Sequence, residues 1–190
     1  PNYSNVNYPY PVDFPYVPDE NPMGVYMREF EIEDTARRHY IVFEGVSSNL
    51  ELYINDKYVG YSQGSHLQAE FDITDFVSVG TNKVLVKVRK WCSGSYLEDQ
   101  DKFRQSGIFR DVYLLSRPET YLTDLFVKPD LKGAAIEAEI AHPCGQVVFT
   151  LLDSEGHIEA QQAMAAGEQI SCRLDVANPR LWSAETPYLY

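Results

Sequence analysis

Leu50-Glu51-Leu52-Tyr53-Ile54 runs into Asn55-Asp56 and then Tyr58-Val59-Gly60-Tyr61, and this stretch decides the fold class. Apolar and polar residues alternate with a period near two, and β-branched and aromatic side chains dominate. Two turn-forming residues separate the halves, so the pattern is that of two strands joined by a tight turn. The same period recurs in Lys83-Val84-Leu85-Val86-Lys87-Val88.

Further strands are expected at Val25 to Ile32, His39 to Val46 and Ile108 to Leu115. Phe71 to Phe76 reads as a short turn or helical turn, and Val79-Gly80-Thr81-Asn82 as a turn with glycine and asparagine. Many strands at short spacing, without a helical period, predict a sandwich of the jelly-roll kind. Ahead of them, Pro1 to Pro22 sets prolines among aromatic residues, NYPYPVDFPYVPDENP. Fixed φ and missing N–H groups make this an extended arm, either a strap along a sheet edge or a segment that holds Asn5 at a binding site.

Ser116-Arg117-Pro118-Glu119 breaks the series, and beyond it aromatic residues thin out and alanine increases. We therefore expect a first domain over 1–118 and a second over 119–190. Tyr121 to Val127, Ala134 to Ile140, Gln146 to Leu152, Ile158 to Ala163 and Ile170 to Val176 read as strands, with Asp153-Ser154-Glu155-Gly156 as a hairpin turn. Ile158 to Gln161 has little apolar bulk to bury. An immunoglobulin-type sandwich takes about 100 residues and seven strands, so these five predict an immunoglobulin-like sandwich that is incomplete at its C-terminus, with unpaired edge groups and self-association or a frayed end. The start at Pro1 and the end at Pro187-Tyr188-Leu189-Tyr190 read as those of a fragment.

Composition narrows the function. The net charge of −12 is shared between the halves, and the cluster Lys87-Arg89-Lys90 reads as a solvated strand face, so nucleic acid is not expected as a partner. No apolar run approaches the roughly 18 residues of a membrane span. Cys92, Cys144 and Cys172 are odd in number and lack metal-type spacing. Reduced thiols in a cytosol fit this best, with a Cys144–Cys172 bridge across a sandwich as the alternative. The four histidines share no ligand spacing, and Trp91 and Trp182 read as packing residues.

The densest chemistry lies in Trp91 to Leu115, WCSGSYLEDQDKFRQSGIFRDVYLL. Glu98, Asp99 and Asp101 stand close together, followed by Lys102, Arg104 and Arg110. Glu98 and Asp101 could be read as a catalytic pair, but acids and bases crowded into one polar loop are more often a structural knot. Arg104 and Arg110 are expected to hold Glu98, Asp99 or Asp111 in bidentate pairs, and Tyr96, Phe103 and Phe109 to anchor in the core.

Several runs resemble the sugar-binding domain and first immunoglobulin-like domain of β-galactosidases of glycoside hydrolase family 2. They are NVNYP (Asn5 to Pro9), PYVPDENPMGVY (Pro15 to Tyr26), IVFEGVSSNLELYINDKYVGYSQGS (Ile41 to Ser65), FDIT (Phe71 to Thr74), SYLEDQDKFRQSGIFRDV (Ser95 to Val112) and NPRLWSAETPYLY (Asn178 to Tyr190). β-Glucuronidases and β-mannosidases share the sandwich, and the SYLEDQD and NVNYP runs favour β-galactosidase.

The resemblance implies the non-catalytic N-terminal portion of a retaining, cytoplasmic β-galactosidase that hydrolyses terminal β-D-galactosides such as lactose. Its two catalytic glutamates would lie on a TIM barrel outside this chain, so no residue here is expected to be catalytic. Asn5 and Asp101 match positions that contact the substrate, and Asp101 also matches a ligand of a sodium ion, a site left incomplete by this chain alone. A carboxylate oxygen suits such a hard cation, and the Asn5 amide can both donate to and accept from a sugar hydroxyl. The resemblance implies sodium and magnesium for the parent enzyme, no cofactor held by this chain alone, and a homo-oligomeric parent. A free-standing carbohydrate-binding module and a purely structural element of an oligomer are the other readings. Binding of galactose or lactose by the isolated chain would favour the module.

Overall fold

Asn55 and Asp56 both take positive φ, 50° and 65°, as the central residues of a two-residue hairpin of the primed type require. They join β4 (Asn49–Ile54) to β5 (Lys57–Gln63). The computed structural model describes residues 8–98 and 103–190. It is all-β, with fourteen strands among the described residues, and contacts divide the chain into two units, Pro1–Arg117 and Pro118–Tyr190. Among the described residues no helix is long and apolar enough to cross a membrane.

The first unit is a jelly-roll sandwich. One antiparallel sheet has the order β1-β7-β4-β5, with β1 (Met23–Ile32) and β7 (Gly80–Arg89) beside the hairpin. The other runs β6-β2-β9, formed by Ala69–Asp72, Arg38–Phe43 and Val112–Arg117. A short pair, β3 (Val46–Ser47) with β8 (Gly107–Ile108), lies beside them.

Alternation along β4 turns Leu50, Leu52 and Ile54 inward, where they meet Val86 and Val88 of β7 and Ile41 and Phe43 of β2. Each fully buried aliphatic side chain of this set contributes about 1.5–3 kcal/mol. Glu51 and Tyr53 face outward: Glu51 pairs with Arg89, and the Lys87 ammonium lies 4.7 Å from the centre of the Tyr53 ring. The solvated face expected at Lys87-Arg89-Lys90 is thus partly a paired one. The Arg89 guanidinium holds the Glu51 carboxyl below the usual carboxylate range.

Four expected boundaries differ. Phe71-Asp72 is strand, not turn, because its backbone pairs with Ile41 and Tyr40 of β2; a 3-10 turn begins only at Thr74. Gly80-Thr81-Asn82 already belongs to β7, opposite Ile32, Glu31 and Phe30. The continuous strands expected over His39 to Val46 and Ile108 to Leu115 are each broken. Where they break, the chain crosses over through hydrogen bonds from the Glu44 amide to the Asp111 carbonyl (3.1 Å) and from the Phe109 amide to the Gly45 carbonyl (3.2 Å).

The second unit is an immunoglobulin-like sandwich with the five strands expected. The sheet β10-β11-β14 comprises Tyr121–Asp130, Gly133–Ala141 and Gln169–Asp175, and β12 (Gln146–Leu152) pairs with β13 (Ile158–Ala165). Ala134, Ile136, Ala138 and Ile140 form the buried face of β11. The weakly patterned β13 forms as well, because the Asp153 carboxylate closes the hairpin before it, accepting the amides of Glu155 (2.9 Å) and His157 (2.8 Å).

Candidate functional site

Three elements of the first unit meet around the segment that follows β7. The proline arm comes first. Asn21 precedes a proline and is therefore held extended, and its side-chain amide acts as a substitute peptide group. Its Nδ2 donates to the Trp91 carbonyl and its Oδ1 accepts the Trp91 amide, each at 2.9 Å. Beside this clamp the Lys90 amide donates to the Pro22 carbonyl at 2.9 Å.

Further out, the Tyr96 hydroxyl accepts the Asp13 amide (3.1 Å) and donates to the Tyr16 carbonyl (2.5 Å). The Tyr96 ring stacks on Tyr8 and takes the edges of Tyr10 and Phe14, while Tyr10 also meets Trp91 with ring centres 5.0 Å apart. Burial pushes the Tyr10 phenol well above its ordinary pKa, and neighbouring Tyr8 adds to the effect. The arm is thus a strap bound along the segment after β7 through aromatic packing and neutral hydrogen bonds.

The second element is the 3-10 turn Ser93–Tyr96. The Ser95 hydroxyl accepts the Cys92 amide at 3.1 Å, the Ser95 amide donates to the Cys92 carbonyl at 2.9 Å, and the Glu98 amide donates to the Gly94 carbonyl at 3.2 Å. The third is the connection after β5. There Ser65, 2% exposed, donates its amide to Glu98 Oε1 (2.7 Å) and its hydroxyl to Glu98 Oε2 (2.5 Å). On the returning strand side, the Ser47 hydroxyl donates to the Gln105 carbonyl at 2.8 Å.

The residues expected to touch a substrate, Asn5 and Asp101, both lie outside the described residues, as do Asp99 and Lys102. The expected braces are corrected in part. Glu98 is held by Ser65 rather than by an arginine, because the fold brings two donors of one buried serine to its two oxygens. The exposed Arg110 reaches the carbonyls of Glu44 (3.4 Å) and His66 (3.5 Å), with its guanidinium against the Phe109 ring. Arg104 lies 5.9 Å from the centre of the Tyr8 ring.

Of the expected aromatic anchors, Tyr96 organises the arm and Phe109 packs half-buried on His66, but Phe103 is 56% exposed. Trp91 packs and Trp182 is 62% exposed. Cys92, Cys144 and Cys172 are all free, so the Cys144–Cys172 bridge is not formed. Among the described residues no group of three histidine, cysteine or acidic side chains could hold a metal ion. Sequence reasoning missed Asn21, Ser65 and Ser47. The Asn21-Pro22 pair was the readable signal for the first, whereas nothing local marks the two serines.

The family model described as "Glycosyl hydrolases family 2, sugar binding domain" matches residues 1–118, and that described as "Glycosyl hydrolases family 2" matches 120–190. The chain belongs to glycosyl hydrolase family 2. Among curated members of this family, the beta-galactosidase of Actinobacillus pleuropneumoniae is 42% identical over 206 residues, covering 100% of the chain and 19% of the relative. A beta-galactosidase of Enterobacter cloacae is 42% identical over 212 residues, covering 100% and 21%. The chain therefore spans about a fifth of the length of the curated family members it matches.

Solved structures share the fold. An FMN-binding beta-glucuronidase from Facaelibacterium prausnitzii L2-6 superposes with a TM-score of 0.73 at 23% identity, covering 87% of this chain and 28% of that one. The Bifidobacterium dentium beta-glucuronidase complexed with coumarin-3-O-glucuronide gives 0.72 at 18% identity, covering 87% and 35%.

Proposed function

We propose that this chain is the non-catalytic N-terminal portion of a retaining β-galactosidase that hydrolyses terminal β-D-galactosides such as lactose in the cytoplasm. The observation that supports galactoside over glucuronide chemistry is the 42% identity to beta-galactosidases over the whole chain. The likeness to beta-glucuronidases is at or below 23% and concerns the fold.

On this reading the first unit presents Asn5 and Asp101 to an active centre built by a separate barrel domain. Asp101 would give one carboxylate oxygen to a sodium ion, the remaining ligands coming from outside this chain, and would contact the galactosyl unit. The donor chemistry fits, since alkali ions take oxygen ligands. Magnesium would be bound by the barrel, and the parent would act as a homo-oligomer. Glu98, whose two oxygens both accept hydrogen bonds from Ser65, is a brace and not one half of the carboxyl pair that retaining hydrolysis requires.

The test uses the full-length polypeptide that contains this chain, assayed with nitrophenyl β-galactoside and β-glucuronide and with the product anomer followed by NMR. Galactoside turnover with retained β configuration is expected. Preferred glucuronide turnover or inversion would overturn the assignment. The 190-residue chain alone should be inert, and Asp101→Ala should cripple the full enzyme.

A further inference from the structure

The two sheets of the first unit are unequal. The β1-β7-β4-β5 sheet has four strands and the β6-β2-β9 sheet three, while β3 and β8 are two residues each and pair with each other. A jelly roll is built from eight strands. Among the described residues β1 pairs only with β7 and β9 only with β2, and between these two edges opens a cleft of about 700 Å³. Its floor is core: Ile41 and Phe43 of β2, Val84 and Val86 of β7. Val112 and Leu114 stand opposite Phe43 and Ile41 and therefore share their inner face, yet each is 41% exposed. Tyr26 of β1, opposite Val86, is inward by the same rule and is 41% exposed as well. Left open, the cleft would hold about twenty waters, at roughly 30 Å³ each, against largely apolar walls.

The two edges beside the cleft differ in kind. β1 carries Arg28, Glu29 and Glu31. β6, the far edge of the three-stranded sheet, carries Glu70 and Asp72, paired with Arg117 and Arg38. Charges of this sort keep an edge from pairing further. β9 instead offers Val112-Tyr113-Leu114-Leu115, four residues without charge, proline or glycine. Alternate N–H and C=O groups along it turn away from β2. It has the sequence of an interior strand and stands at an edge.

We propose that a β-strand of the same polypeptide, from outside these 190 residues, pairs with β9 as the eighth strand of the jelly roll and closes the cleft. The free backbone groups of β9 require a strand as occupant, since only another extended backbone matches their spacing at about 4.8 Å between chains. Six residues suffice to run beside Val112–Arg117. Alternate side chains of the added strand are apolar and enter the cleft above Phe43 and Val86. Arg28, opposite Val84 on the β1 wall, then needs an oxygen acceptor from the strand, because a covered guanidinium must be paired. The cleft opens directly onto the core of the first unit, so filling it belongs to folding and not to the docking of a separate molecule. The polypeptide has chain to spare, as these residues span about a fifth of the length of the family members they match throughout.

The experiment uses the full-length polypeptide that contains this chain and reads two quantities. The first is hydrogen exchange at the Val112 to Leu115 amides, followed by mass spectrometry with residue-level fragmentation. With a strand on each side of β9, all four amides should exchange at least about 100-fold more slowly than unprotected ones. At a free edge only the alternate pair bonded to β2 would be slow, and fast exchange of the other pair would overturn the proposal. The second is photo-cross-linking with p-azidophenylalanine in place of Tyr113, which lies on the opposite face from Val112 and Leu114 and so leaves the cleft unfilled. A cross-link within one polypeptide, to a single short segment outside residues 1–190, is expected. A product of doubled mass would show that a second copy covers β9, and a cross-link to residues 1–190 of the same chain would show that this chain covers itself. Either result would overturn the assignment of the strand.

Discussion

Replacing Asn21 by alanine tests how the proline arm is held. The side-chain amide makes two hydrogen bonds to Trp91, each 2.9 Å and each partly buried. At about 1 kcal/mol net per neutral hydrogen bond, their loss costs about 2 kcal/mol locally. The Trp91 amide donates to Asn21 Oδ1, so its exchange with solvent reports the clamp directly. A cost of 2 kcal/mol corresponds to about 30-fold faster exchange, at 1.36 kcal/mol per tenfold. The rise should stay local, because the Lys90 amide keeps the Pro22 carbonyl and Tyr10 keeps its ring contacts with Trp91 and Tyr96. Asn21→Asp keeps an acceptor for the Trp91 amide but sets a second oxygen against the Trp91 carbonyl, where the two repel, so it should not rescue the clamp. Hydrogen exchange followed by NMR decides the matter. An unchanged Trp91 amide in Asn21→Ala, or an equal rise at core amides such as Val86, would refute the clamp as the arm's local anchor.

Other perturbations reach the two sandwiches separately. Asn82 is 1% exposed, and its side chain makes four hydrogen bonds, to Asn55, to both the amide and carbonyl of Ser78, and to the Gly80 carbonyl. Asn82→Ala should destabilise the first unit by about 3 kcal/mol, measured by urea denaturation with Trp91 as the remaining tryptophan, excited selectively, in a Trp182→Phe background; a loss below about 1 kcal/mol would contradict this accounting. Gly133 has φ +155°, and a β-carbon there would stand 2.0 Å from the Leu174 carbonyl oxygen. Gly133→Ala should therefore part β11 from β14 at a cost of about 3 kcal/mol or more. At Gly145, where nothing lies within 4 Å and φ is +74°, the same change should cost only about 1–2 kcal/mol of backbone strain. Hydrogen bonds from Arg173, with a further one from the Lys132 amide, hold the Asp130 carboxyl down at about 2. Its folded pKa is depressed, so the contribution to stability is complete above the ordinary carboxylate value of about 3.9 and is lost as pH falls through about 2. Arg173→Ala should return the Asp130 titration toward the ordinary range in a carboxyl NMR titration, and an unmoved titration would show that Arg173 is not its cause.

Strand positions were legible wherever a face is buried, because alternation is then forced. Leu50, Leu52 and Ile54 face Val86 and Val88 inside, and a register slip of one residue would turn all of them out. The breaks were not legible. Glu44-Gly45 and Phe109 to Asp111 interrupt two apolar runs only because hydrogen bonds between these distant segments exist in the folded chain. Phe71 was misread for the same reason, since its strand character comes from pairing with Ile41 and from ring contact with Phe43. At the site, Asn5 and Asp101 came from motif resemblance and not from spacing. The arginine braces came from counting charges, and charge counting has no means of finding a neutral partner such as Ser65, which is distant in sequence.

That miss has a physical lesson for this chain. With a net charge of −12, a site built on exposed ion pairs would respond to ionic strength, since such pairs are screened over about 8–10 Å in ordinary buffers. The described anchors of the arm and loop are instead hydrogen bonds with at least one neutral partner: the Asn21 amide on the Trp91 backbone, the Tyr96 hydroxyl between Asp13 and Tyr16, and the Ser65 donors on Glu98. Exposed ion pairs lie on other elements, Lys128–Glu137 and Arg173–Asp130 in the second unit and Lys83–Asp56 in the first. Pairs of that kind contribute little net stability. The division lets the charges serve solubility while neutral donors hold the arm and the base of the loop, so both should keep their geometry from low to high salt.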